Sequence, residues 1–126
     1  MTSRPHPGTD RPLAAPALHF RLQEELRRLR GEPDWTSGRR SITLAKHGGL
    51  RVVLIAMLAG ATLDEHVAAG ALTVQVLEGR VRFTAGGETL MLVPGELLAL
   101  EPGLPHEVHA MDASAFLLTL AQSGER

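Results

Sequence analysis

From Ser41 to the C-terminus the chain is a succession of short apolar runs cut by glycine and proline, and this restricts the fold more than any other feature. The runs predict strands near 41–46, 50–58, 72–78, 80–85, 88–93, 97–100, 106–110 and 114–121. The breakers between them are "HGG", "PG" and the pair Gly86-Gly87. "LRVVLIAML" is almost continuously apolar, as a strand covered on both faces would be. "GRVRFT" alternates, with Val81 and Phe83 on one side and Arg80 and Arg82 on the other, which suits a half-exposed strand. Many short strands about ten residues apart point to an all-β sandwich or barrel.

The core of such a fold has few aromatics to draw on. Apolar residues make up 44% of the 126, but aromatics only 3%, so Leu, Val, Ala and Ile must fill the interior. The length suits one domain with a majority of its surface buried. Formal net charge is −1, so no overall field recruits nucleic acid or an anionic membrane. Cysteine is absent, which removes disulfides, thiolate nucleophiles and zinc-thiolate sites. No apolar run approaches the roughly 20 residues that span a bilayer, and "MTSRPHPGTDRP" has no secretory apolar core. A soluble, cytoplasmic protein is the expectation.

Three regions separate by composition. Residues 1–13 are rich in Pro, Gly and polar groups and are expected to be disordered. Residues 14–40 hold a short amphipathic helix and a linker, and 41–126 the barrel. Leu18, Leu22, Leu26 and Leu29 recur on one helical face, Pro16 suits an early helical position, and Gly31 and Pro33 supply a stop. Arg21, Arg27, Arg28 and Arg30, interleaved with Glu24 and Glu25, read as a solvated face rather than a nucleic-acid surface. Trp35, the single tryptophan, is expected to dock the helix onto the body.

The glycines and histidines of the barrel fall into two spaced groups. Five residues separate Gly60 from His66, and six separate Leu72 from Gly79. After a further fifteen residues comes Gly95, then Gly103 and His106. These groups resemble the two motifs of the cupin superfamily. The first is Gly, five residues, His-x-His, three or four residues, Glu, six residues, Gly; the second is Gly, five residues, Pro-x-Gly, two residues, His, three residues, Asn. Ala68 occupies the place of the second His and Leu72 that of the Glu. Glu101 and Ala110 replace the Pro and the Asn. The resemblance implies a double-stranded β-helix, the cupin jelly-roll barrel, with His66 and His106 meeting at its mouth. Gly60, Gly79, Gly95 and Gly103 are expected to serve turns.

A family metal site has three or four protein ligands, and the matched positions supply two, His66 and His106. The resemblance still allows a divalent ion (Fe, Mn, Ni or Zn), held weakly because the carboxylate is gone. Strand parity places His106, Val108 and Ala110 on one side, with Glu107 and His109 on the other, and gives Asp64 the same face as His66. Gln75, His109, Leu72 and Ala68 are the candidates for pocket or rim, with parity turning Gln75 and His109 outward unless a bulge intervenes. His6, His19 and His47 read as tail, helix-surface and turn residues.

Three function classes fit this chain. The first is a binding module that takes a small ligand, a weakly held divalent metal or both at the barrel mouth. The second is a metal-dependent enzyme resembling cupin dioxygenases or isomerases, and the third a metal-free structural or regulatory module. A metal-free epimerase-like route needs a His–Tyr pair, and the chain has no tyrosine. The half-kept ligand set favours the first class. The expected partners are a small molecule and a second copy in a homodimer, since small barrels expose strand edges that pair.

Overall fold

The computed structural model describes residues 16–121. The disorder expected for residues 1–13, and His6 with it, lies outside the described residues. Among the described residues one helix, α1 (Leu22–Arg30), precedes nine strands. These are β1 (Arg39–His47), β2 (Leu50–Met57), β3 (Thr62–His66), β4 (Ala71–Glu78) and β5 (Val81–Ala85), then β6 (Glu88–Leu92), β7 (Leu97–Leu100), β8 (His106–Ala110) and β9 (Ser114–Ala121). They form a five-stranded sheet ordered β1-β2-β9-β4-β7 and a four-stranded sheet ordered β3-β8-β5-β6, with every pairing antiparallel. Two such sheets, face to face, are a β-sandwich jelly roll.

Period-two alternation divides the five-stranded sheet between two cores. Val53, Ile55 and Met57 of β2 face the interior with Leu72, Val74 and Val76 of β4, against Val81, Phe83 and Val108 of the second sheet. Leu54 and Ala56 of the same β2 face the other way, onto Leu26 and Leu29 of α1 with Ile42 and Leu44. The continuous apolar run in β2 thus reflects cover on both sides, the inner one from the opposite sheet and the outer one from the helix. Each fully buried Leu contributes about 2 kcal/mol by removal from water. Trp35 packs against the outer core, which ties the linker to the body.

The helix stops at Gly31 as expected but differs from its expectation at the N-terminal end. Arg21 sits at its N-cap in the extended region (φ −99°, ψ 106°) with no side-chain cap, so Pro16 and Leu18 precede the helix rather than open it. Leu22 and Phe20 pack at the margin of the outer core, and that contact outweighs the leucine periodicity upstream. On the basic face Arg21, Arg27 and Arg28 are exposed as expected, whereas Arg30 is drawn onto the sheet. Arg30 Nη1 donates to Glu78 Oε1 of β4 at 2.5 Å, both side chains about one-third exposed, and Glu25 is buried.

A further difference is β3, which "TLDEH" does not announce. Asp and Glu are poor strand formers, and the segment becomes a strand because β8 offers partners, Thr62 opposite His109 and Leu63 opposite Val108. Gly60, Gly79, Gly95 and Gly103 all have positive φ, as expected of turn positions. Gly79 is the most constrained of them. At φ 83° a Cβ there would lie 2.3 Å from both the Ala113 carbonyl and Ser114 Oγ. Ser114 is itself buried, accepting from the Arg80 amide at 3.0 Å and donating to the Asp112 carbonyl at 2.7 Å.

Candidate functional site

His66 closes β3 and His106 opens β8, and the two are directly paired in the ladder. Their Nε2 atoms stand 3.0 Å apart, with the rings nearly edge-on at a centroid distance of 4.2 Å. His106 is 4% exposed and stacks on Phe83, the rings inclined by 16° with centroids 5.6 Å apart. His66 is exposed and forms the outer lip. The imidazoles are forty residues apart in sequence and in contact in space.

The other nitrogen of each ring decides what the pair can do. His106 Nδ1 lies 3.0 Å from the Leu104 carbonyl, and His66 Nδ1 lies 3.0 Å from the Asp64 carbonyl. A carbonyl oxygen only accepts, so both Nδ1 atoms must donate. The hydrogen-bond network therefore assigns the Nδ1–H tautomer to each neutral ring and leaves both Nε2 atoms as acceptors 3.0 Å apart. Two lone pairs at 3.0 Å repel unless a cation joins them. A shared proton does so, and so does a metal ion. Two imidazole nitrogens bound cis to one ion at about 2.1 Å and about 90° also lie about 3.0 Å apart.

The surroundings favour only weak retention of an ion. Leu72 is buried in the inner core and Ala68 packs against that core, so apolar side chains stand at the positions of the missing ligands. Among the described residues no group of three or more His, Cys, Asp or Glu side chains converges. A divalent ion here would need the rest of its shell, and a balancing negative charge, from water or from a ligand.

Other candidate residues stand away from this mouth. Gln75 is exposed on the outer face of the five-stranded sheet, opposite Leu97 and Leu117. His109 faces outward on the other sheet, where Arg82 Nη2 donates to its Nδ1 at 3.0 Å. Asp64 corrects the parity expectation. A register shift between Leu63 and His66 turns it outward, and with Arg82, Glu107 and His109 it lines an external groove of about 480 Å³. Only its backbone carbonyl serves the site. That carbonyl and the Leu104 carbonyl are the functional groups a reading of side chains cannot find; the "PGLPH" turn before His106 was the single local signal for either.

The fold is that of a small jelly-roll protein in which two histidines meet, one of them stacked on Phe83. Residues 53–120 match the family model described as a cupin domain, and the chain belongs to the cupin family. Solved structures agree on the fold. A conserved protein of unknown function from Streptococcus pyogenes is 23% identical, with 75% of this chain and 89% of that one covered, at a TM-score of 0.66. An RmlC-like cupin from Shewanella frigidimarina is 21% identical, covering 73% and 83%, at 0.67. Salicylate 1,2-dioxygenase from Pseudoaminobacter salicylatoxidans, solved with gentisate, is 19% identical over 81% of this chain and 32% of its own, at 0.72. No curated protein matches the sequence.

Proposed function

We propose that this cupin is a binding module whose His66–His106 pair holds a labile divalent cation and, through it or beside it, a small ligand at the barrel mouth. The observation that supports this reading is the double tautomer lock: with both Nδ1 atoms donating to carbonyls, the facing Nε2 atoms need a shared proton or a metal ion between them, and a divalent ion is the occupant proposed here. The residues fit an ion through two imidazoles and offer no carboxylate, so the ion is shared with the ligand rather than owned by the protein. A ligand that donates two or more oxygens to the ion is the chemistry the open shell accepts.

Elemental analysis of protein purified without a histidine tag, followed by titration with Zn²⁺, Ni²⁺ and Mn²⁺, tests this. The expected result is substoichiometric metal as purified, saturable uptake of one added ion per chain, and loss of that uptake in His66→Ala and His106→Ala together. An ion retained by the double variant would place the site elsewhere. Stoichiometric metal that resists EDTA in the parent would instead support the metal-dependent enzyme.

We also propose a homodimer, supported by the outer face of the five-stranded sheet. The helix covers its β1–β2 side. Beyond it, the rows Leu97–Gln75–Leu117 and Ala99–Thr73–Thr119 carry no charge, and Leu97 is 62% exposed. A two-fold axis sets a patch against itself, so an uncharged patch docks without opposing like charges. Light scattering should give twice the chain mass, and a clean monomer at high concentration would refute the dimer.

A further inference from the structure

The external groove on the outer face of the four-stranded sheet is a second concavity, and its volume of about 480 Å³ is within the range of small-molecule sites. Strand register orders its side chains into two rows. Thr62, His109 and Arg82 stand abreast on β3, β8 and β5. Two residues along, Glu107 and Thr84 stand abreast on β8 and β5, and the register shift in β3 brings Asp64 to the same face. At the rise of an antiparallel strand the rows lie about 7 Å apart.

The first row donates and the second accepts. Arg82 Nη2 donates to His109 Nδ1 at 3.0 Å, so the neutral His109 ring carries its proton on Nε2. Arg82 is half-buried and has no ion pair among the described residues, which leaves N–H groups of its guanidinium to spare. Asp64 and Glu107 are exposed, and their carboxylates have no hydrogen bond or ion pair among the described residues. The Thr84 and Thr89 hydroxyls bond each other at 3.3 Å and compete for neither row. Opposite charges attract, yet Arg82 is turned along its own row onto His109, and the carboxylates of the next row stay unpaired. One groove thus presents both signs of charge, held apart.

We propose that this groove is a second binding site, separate from the histidine mouth, for a small ω-amino acid bound as its zwitterion. The ligand carboxylate accepts from the Arg82 guanidinium and from His109 Nε2. Its ammonium, with three N–H donors, spans Asp64 and Glu107. A chain of a few methylenes matches the spacing of the rows, which the single carbon of an α-amino acid does not bridge. A simple carboxylate meets Asp64 and Glu107 with like charge, and a simple amine leaves Arg82 unused, so the groove selects for both charges on one molecule.

The probe is γ-aminobutyrate, titrated into the full chain in EDTA, which keeps the mouth free of ions, with backbone amide shifts as the readout. Saturable shifts are expected at Arg82, Thr84 and Thr89. Glycine, butyrate and butylamine should each bind at least about tenfold more weakly, since each forfeits hydrogen bonds between charged groups. Arg82→Gln should bind γ-aminobutyrate no better than butylamine, and Glu107→Gln should weaken γ-aminobutyrate about fivefold while Asp64 remains. Both side chains lie on the outer face and outside the two cores, so these variants are expected to fold, and unchanged amide shifts in β2, β4 and β9 verify it. Butyrate or butylamine binding as tightly as γ-aminobutyrate, or an advantage of γ-aminobutyrate that survives in folded Arg82→Gln protein, would overturn the proposal. So would shifts centred on the histidine mouth or binding that does not saturate.

Discussion

The Gly79 corner and the histidine mouth both derive from cupin motif positions, yet they differ in whether their polar groups are satisfied. At the corner the buried Ser114 hydroxyl finds its partners inside the protein. Ser114 Oγ serves the Arg80 amide and the Asp112 carbonyl, and Gly79 leaves the room that this requires. At the mouth the two Nδ1 atoms are satisfied and the two Nε2 atoms are not, except through a cation. The turn glycines are kept where the chain must reverse, while Ala68 and Leu72 stand where ligands would be. The turn glycines of the motifs and their ligand positions are thus separable, and this chain keeps Gly60, Gly79, Gly95 and Gly103 while two of the ligand positions are apolar.

The separation can be broken most forcefully at the corner. Gly79→Ala forces a left-handed conformation on a residue with a side chain and drives its Cβ into backbone and Ser114. Strain and overpacking together should cost about 4 kcal/mol, read as a lowered denaturant midpoint at constant slope. A loss below about 1 kcal/mol would mean that the corner relaxes freely and is not what fixes the barrel. The mouth should respond in the opposite manner. His66→Ala removes an exposed ring, so stability should change by no more than about 0.5 kcal/mol, while saturable metal uptake disappears. A large stability loss there would make the pair a structural element and erase the contrast.

How much of this was legible in the sequence follows from the range of the interactions involved. Alternation in "GRVRFT" and the unbroken run in β2 report local burial, and both appear in the sheets as read. β3 was missed because "TLDEH" has no strand signature of its own and depends on β8, forty residues away. Pro16 and Leu18 looked helical because periodicity ignores where Phe20 must land. At the site, motif spacing sufficed to bring His66 to His106. Asp64 was misplaced because a one-residue register shift inverts every face after it. The tautomer lock rests on two backbone carbonyls, and carbonyls leave no trace in a sequence.

The protonation pattern of the two imidazoles tests the central claim most directly. Long-range ¹H–¹⁵N correlation of the histidine rings in metal-free protein should find Nδ1 protonated in both His66 and His106, and Zn²⁺ should move the Nε2 resonances of both while leaving Nδ1 protonated. A proton on Nε2 with a bare Nδ1 in either ring, or Nε2 resonances indifferent to Zn²⁺, would contradict the account.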